Sequence, residues 1–327
     1  AVLAAWFLSA AALAAPPAAL QGPAFTDPER RAAMPPQWAE RAVAYDEWAR
    51  GADLAVTLDQ HLYPALLPLI REYARDNGLD VAVQEGTCGI SAGALEEKQV
   101  DMGGFCCPAG ATDRLPGLRF HTLGIAALAL LVHPDNPVES VTLDQARRLF
   151  RGRIAEWSAV AEGATGRVRP VGRLHCKARP GHWRLLLDNE DLFSPHMQEV
   201  STIPDMVEAV GVQRGAIGYE TLWMAERNAD RGRVKLLRIG GVDPRDRTAL
   251  LAGRYPLYRV YNLTTWAPGN GASPHAEPLL RHLRANMHRV DERYAFVPVQ
   301  RLERAGWRVR AGELVGGPRR GAGRGGG

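Results

Sequence analysis

The sequence predicts an α/β fold, and three observations carry that prediction. Short apolar strand-like runs alternate with helical segments along most of the chain. The run 122–132 is apolar throughout, as in a strand buried on both faces. Capping signals at Thr142, Ser273 and Asn77-Gly78 mark where helices begin and end. Alternation of this kind implies largely parallel sheets covered by helices.

Each element follows in order. Residues 16–51 are a Pro- and Ala-rich lead-in, with a helix expected over 36–50. An apolar strand at 54–57 leads through the polar turn Asp59-Gln60-His61 into a helix over 63–75, which Asn77-Gly78 stops with a left-handed cap. Leu79, Val81 and Val83 alternate as a strand; the turn Gly86-Thr87-Cys88-Gly89 then opens a helix that runs to 98. A strand at 100–105 ends in Cys106-Cys107-Pro108. Thr142-x-x-Gln145 is a capping box opening a helix that Gly152 closes. Residues 168–174 read as strand, 180–189 and 203–210 as helix, and 215–219, 234–239 and 257–263 as strands. Ser273-Pro274 opens the last long helix.

The 327 residues suffice for two lobes, and a chain 46% hydrophobic and 23% charged is neither disordered nor, without a G-X-Y period, collagenous. Residues 1–15 are uncharged and run into Pro16-Pro17, too short for a membrane span. They read as the apolar part of an export signal whose start is truncated, which predicts a periplasmic or secreted monomer with no stable membrane insertion. Residues 311–327 are expected to be a disordered Gly/Arg tail. Arg319, Arg320 and Arg324 carry three of the four net charges, so the basic balance makes no case for a nucleic-acid partner.

Five segments in order resemble the phosphate-binding proteins of bacterial ABC importers. Glu85-Gly86-Thr87-Cys88-Gly89-Ile90 is similar to the family's Gly-Ser-Gly-x-Gly-Ile turn, and Asp101-Met102-Gly103-Gly104-Phe105-Cys106 to its Asp-x-Gly-x-x-Ser strand end. Residues 149–157 match Ile-Phe-x-Gly-x-Ile-x-x-Trp, Gly215-Ala216-Ile217-Gly218-Tyr219 matches Gly-x-Ile-Gly-Tyr, and Tyr255-Pro256-Leu257 matches Tyr-Pro-Leu. The resemblance covers about 52–300 and implies a two-lobe type II periplasmic binding-protein fold with a ligand cleft between the lobes. Lobe 1 would hold 52–125 and 237–310, and lobe 2 would hold 126–236. It also implies a non-enzymatic solute binder that hands a small inorganic ligand to an ABC permease or a periplasmic sensor.

The positions matching the family's anion-binding loops are altered. They carry His61, Thr87, Cys88, Cys106, Cys107, His175, Cys176 and His182, with Tyr219 close to the cleft, and all four cysteines of the chain fall among them. Three readings stay open. Thiolate and imidazole suit a soft metal such as copper, zinc or iron, a trivalent metalloid, or a metal complex, with Cys88, Cys106, Cys107, Cys176, His175 and His182 as ligands. Cys88 at a helix start is expected to have a lowered pKa, and Cys106 and Cys107 can share a face only in a bent loop. An exported chain with an even cysteine count also suits disulfides, Cys88 and Cys176 each joining one of the adjacent pair. The third reading is phosphate or a related oxyanion. Separately, Gly89-Ile90-Ser91-Ala92-Gly93 fits the G-x-S-x-G hydrolase elbow, and a Cys88–His182 pair would make a cysteine nucleophile.

Overall fold

The computed structural model of the protein describes residues 24–318, so the expected export segment and residues 319–327 lie outside the described residues. The strands are β1 (Leu54–Asp59), β2 (Val81–Gly86), β3 (Met102–Phe105), β4 (Leu118–Val132), β5 (Ser140–Val141), β6 (Arg169–Gly172), β7 (Gln198–Glu199), β8 (Ala216–Thr221), β9 (Lys235–Ile239), β10 (Tyr258–Trp266), β11 (Val297–Pro298), β12 (Arg308–Arg310) and β13 (Glu313–Gly316). The helices are α1 (Pro36–Glu40), α2 (Tyr63–Asn77), α3 (Cys88–Glu96), α4 (Leu143–Phe150), α5 (Ile203–Val212), α6 (Leu222–Arg227), α7 (Arg247–Leu251), α8 (Ala276–Asn286) and α9 (Val299–Arg304).

One sheet follows the path β2-β1-β3-β10-β4-β8-β6-β7, with β11 and β9 also on β4. Within each half the strands are parallel: β1 with β2 and β3, and β6 with β7 and β8. The halves are joined by antiparallel pairing of β10 with β3 and β4, and of β4 with β8. The largely parallel sheet expected from the alternation is therefore mixed. The apolar run of β4, buried from Thr122 to Val132, is long enough to serve both halves.

Apolar burial divides accordingly. One core gathers Leu54, Leu66, Phe105 and Leu263, and the other Leu130, Phe150, Trp183 and Ile217. Full burial of such a side chain stabilises by roughly 1.5–3 kcal/mol. The expected division at 237 does not follow this packing: Leu257, Leu302 and Trp307 belong to the second core, while Leu279 and Leu283 belong to the first.

The capping signals operate as read. Thr142 Oγ1 accepts from Gln145 N at 3.0 Å and Gln145 Oε1 accepts from Thr142 N at 2.8 Å. Gly78 takes φ +64 and closes α2 on Ala74 and Arg75. Two expected helices are absent. The 36–50 segment breaks into α1 and a 3₁₀ turn, Glu47–Ala49, and 180–189 holds one 3₁₀ turn, His182–Leu185, rather than an α-helix. In the latter, Gly181 adopts φ +83 and His182 φ +41, which interrupts the right-handed path.

Residues 311–316, expected to belong to a disordered tail, are instead part of an ordered hairpin. β12 and β13 form a hairpin, and Arg114 makes a bidentate pair with buried Glu313 at 2.8 and 2.9 Å. Thr122 Oγ1 also accepts from Leu314 N at 2.8 Å. No helix among the described residues is long and apolar enough to cross a membrane.

Candidate functional site

The ends of β1, β3 and β6, the start of α3, and the interiors of β8 and β10 converge on one buried polar cluster. Thr87 caps α3 by accepting from Ile90 N at 3.3 Å, which places Cys88 on its first turn. β3 stops at Phe105, and the chain bends through Cys106 and Cys107. That bend lets both thiols turn inward, with their sulfurs 3.9 Å apart. Asn262 Nδ2 donates to Cys107 O at 2.9 Å and fixes the bend. Cys88 Sγ accepts from Cys106 N at 3.2 Å and lies 3.3 Å from Cys106 Sγ.

The 173–182 loop supplies the remaining thiol. Cys176 holds φ +57, a backbone state that costs about 1–2 kcal/mol for a side-chain-bearing residue. Its carbonyl accepts from Arg179 N at 2.9 Å, and Trp183 Nε1 donates to His175 O at 2.7 Å. Arg179 reaches across to Asp113 with bonds of 2.5 and 2.8 Å. A Cβ on Gly110 would sit 2.6 Å from Ala178 O, and one on Gly181 2.7 Å from Pro108 Cδ. The two cysteine-bearing loops are thus interlocked over the cluster.

The cluster has an ionic part and a sulfur part. His61 Nδ1 is 2.8 Å from Asp59 Oδ1, and its Nε2 is 3.2 Å from Glu220 Oε1. Burial and Arg259 press His61 toward the neutral form, but the charge and hydrogen bond of Asp59 outweigh them and lift its pKa to about 10. Burial, then the charge of Cys106, raises Asp59, against the pull of His61. Burial opposes ionisation of Glu220, yet Arg259, His61 and Arg173 hold it well below the usual carboxylate range. Arg259 Nη2 lies 3.4 Å from Glu220 Oε1, and Arg173 Nη2 lies 3.6 Å from Oε2. Arg259 Nη1 also donates to Cys106 Sγ at 3.2 Å.

Cys88, Cys107 and Cys176 place their sulfurs within 4.8 Å of one another. His175, Cys176 and His182 form a second such group, and Asp59, His61 and Cys106 a third. All four thiols are free. Hydrogen bonds from Cys107 and Cys88, then Arg259, hold Cys106 well below the ordinary thiol range against burial. Cys176 is also lowered, by Cys107 and Cys88 first. Cys88 is not lowered as expected from its helix position: hydrogen bonding to Cys106, Cys107 and Cys176, with burial, pushes it well up. Its sulfur serves the neighbouring thiolate as a proton donor, which outweighs the dipole of this short helix.

The expected site residues separate on this geometry. Cys88, Cys106, Cys107, Cys176, His61, His175 and His182 come together. The histidines differ in what they can offer a ligand. His175 Nδ1 donates to Arg173 O at 2.9 Å, so its Nε2 presents a lone pair, held as metal-binding imidazoles usually are. His61 has both nitrogens taken by carboxylates. His182 Nδ1 accepts from Trp183 N, so its Nε2 carries the proton and is a donor. Thr87 is exposed and spent on its cap. Tyr219 Oη braces Arg173, accepting from its N at 3.0 Å and donating to its O at 3.1 Å. Ser91 Oγ is buried without a hydrogen-bond partner, so no imidazole is poised to activate it.

Asp59, Arg173, Glu220 and Arg259 were not singled out from the sequence. A signal was present: Arg259 and Glu220 are the lone charges of otherwise uncharged strands, and both are at most 1% exposed. The expected open cleft is closed at this point, since Cys88, Cys106 and Cys107 are also at most 1% exposed, while Cys176 is half-buried.

The PBP superfamily domain matches residues 44–281. The phosphate-binding protein PstS of Bacillus subtilis is 23% identical over 230 residues, covering 69% of this chain and 74% of its own length. An ABC-type phosphate transport receptor from Vibrio cholerae is similar with a TM-score of 0.60 at 16% identity, covering 75% of this chain and 99% of that one. A putative phosphate ABC transporter substrate-binding protein from Clostridium perfringens, solved with bound phosphate, gives 0.62 at 12% identity, covering 75% and 98%. These structures share the two-lobe fold.

Proposed function

This chain belongs to the PBP superfamily, and from that premise we propose that it is a solute-binding protein whose cargo is a thiol-seeking metal, metalloid or metal complex. The observation that carries the reading is the sulfur triad, Cys88, Cys107 and Cys176, with His175, whose Nε2 is left with a lone pair, grouped with Cys176. Soft donors of this kind select soft acceptors over phosphate. Cys106 is better placed as the partner of Arg259 than as a ligand. Cys176 comes from a different loop and a different half of the fold than Cys88 and Cys107, so occupancy would favour the closed arrangement. Release would be to a permease or to a sensor outside the cytoplasm, and the protein would have no catalytic step.

Oxyanion binding is the second reading, favoured by the phosphate-binding relatives. Against it, the cluster's cations already have internal counter-charges: Glu220 meets His61, Arg173 and Arg259, and Cys106 meets Arg259. The deciding experiment is thiol titration with metal analysis on protein purified anaerobically, together with phosphate titration by calorimetry. Free thiols that become protected when cadmium or copper(I) is added support the proposal. Two disulfides, or phosphate binding with no thiophile binding, would sink it.

A further inference from the structure

His182 is 1% exposed, and its Nε2 has no hydrogen-bond partner. Because its Nδ1 accepts from Trp183 N, the unpartnered Nε2 is an N–H donor. Buried donors are nearly always satisfied, and an orphan one costs about 1–3 kcal/mol. The donor atoms of His182 and Cys176 lie within 4.8 Å of each other, and Cys176 is the half-buried sulfur that the triad and the histidine group share. A bare soft cation would bring no acceptor for it. A ligand that joins a thiol-seeking centre to an oxygen would.

Resting on the thiophile reading above, we infer that the cargo is a trivalent metalloid hydroxide of the arsenous or antimonous acid class, bound through two thiols with one hydroxyl retained as the acceptor for His182 Nε2–H. The two thiols are Cys176 and one of its neighbours Cys88 and Cys107. The step is a condensation. Two metalloid–sulfur bonds form and two metalloid–oxygen bonds break. Each displaced hydroxyl leaves as water, taking the thiol's own proton or, for a sulfur already ionised, one from solvent, and no atom changes oxidation state. An uncharged acid also adds no net charge beside Arg173, Arg259 and His61, which Glu220 already touches. The retained oxygen distinguishes this class from copper(I), zinc or cadmium at the same sulfurs.

The test uses the reduced full chain loaded anaerobically with arsenous acid. X-ray absorption at the arsenic edge is expected to show two sulfur neighbours and one oxygen, with two of the four thiols still titratable. His182→Phe is expected to weaken arsenous acid binding by about tenfold. The same change should leave methylarsonous acid unaffected, because that ligand keeps no hydroxyl after two thiols bind. His182→Gln, which keeps an N–H donor, is expected to retain most of the affinity. A three-sulfur shell, or equal losses for both arsenicals in His182→Phe, overturns the inference. Cadmium or copper(I) binding without arsenous acid binding overturns the metalloid assignment and leaves the thiophile reading standing. Failure of every thiophile removes both.

Discussion

Replacing Glu220 by glutamine removes one buried negative charge from the centre of three cationic groups. Its carboxylate lies 3.2 Å from His61 Nε2, 3.4 Å from Arg259 Nη2 and 3.6 Å from Arg173 Nη2. At an effective dielectric near 20 each contact has a gross attraction of about 5 kcal/mol. Desolvation opposes most of that sum, and breaking one partner of a buried ion network typically costs about 3–5 kcal/mol. Glutamine keeps the Oε1 acceptor that Thr221 N uses at 2.7 Å, so the loss is mainly one of charge. The melting temperature is expected to fall by roughly 6–15 °C, at a few degrees per kcal/mol for a chain of this size. Phosphate should then act as an external substitute. At about a hundred times its dissociation constant it would restore about 2.7 kcal/mol to Glu220→Gln while leaving the wild-type melt unmoved. Differential scanning fluorimetry with and without phosphate reads both effects. A variant melting within about 2 °C of wild type would refute the argument, and so would phosphate stabilising both proteins equally. Glu220→Asp, which keeps the charge on a shorter stem, should fall between them.

Glu313→Ala strands the Arg114 guanidinium in a buried position and is expected to cost about 3–5 kcal/mol, seen as a lower urea midpoint. Gly110→Ala drives a Cβ to within 2.6 Å of Ala178 O, so the interlocked loops must part; about 1–3 kcal/mol should be lost, and native-state labelling of the thiols by a disulfide reagent should accelerate. His121, pressed down to about 4 by burial, is neutral in the folded state while the unfolded chain protonates near 6.5. The unfolded state therefore binds more protons between those values, and stability should fall by about 3 kcal/mol as pH drops from 6.5 to 4. Urea midpoints across that range should fall less steeply for His121→Asn; parallel slopes would remove His121 from the account.

Fold class and cluster location were legible because both rest on local signals. Caps at Thr142 and Gly78 are written within four residues, and the cysteine-bearing turns lie at strand ends that periodicity can find. What stayed hidden depends on long-range pairing. Nothing local to Cys88 announces that Cys106, 18 residues on, will bring a thiolate to its side and reverse the direction of its pKa shift. His61 offers two nitrogens in the sequence, but Asp59 at i−2 and Glu220 at i+159 use both. Helix periodicity over 180–189 was likewise overridden by the positive φ of Gly181 and His182, which the interlock with Pro108 requires.

Arg114 gathers three distant parts of the chain. Its guanidinium donates to Thr26 Oγ1 at 2.9 Å and grips Glu313, 199 residues further on. Since Arg114 lies on the segment that follows Cys107, that segment cannot reach its final form until residue 313 has been synthesised and has arrived. Until then Cys106 and Cys107 lie on a segment that lacks its Arg114–Glu313 lock. If folding occurs outside the cytoplasm, that interval is a race between hairpin docking and oxidation. A slower arrival of Glu313 would then lengthen the exposure of those sulfurs, whatever the stability of the finished packing.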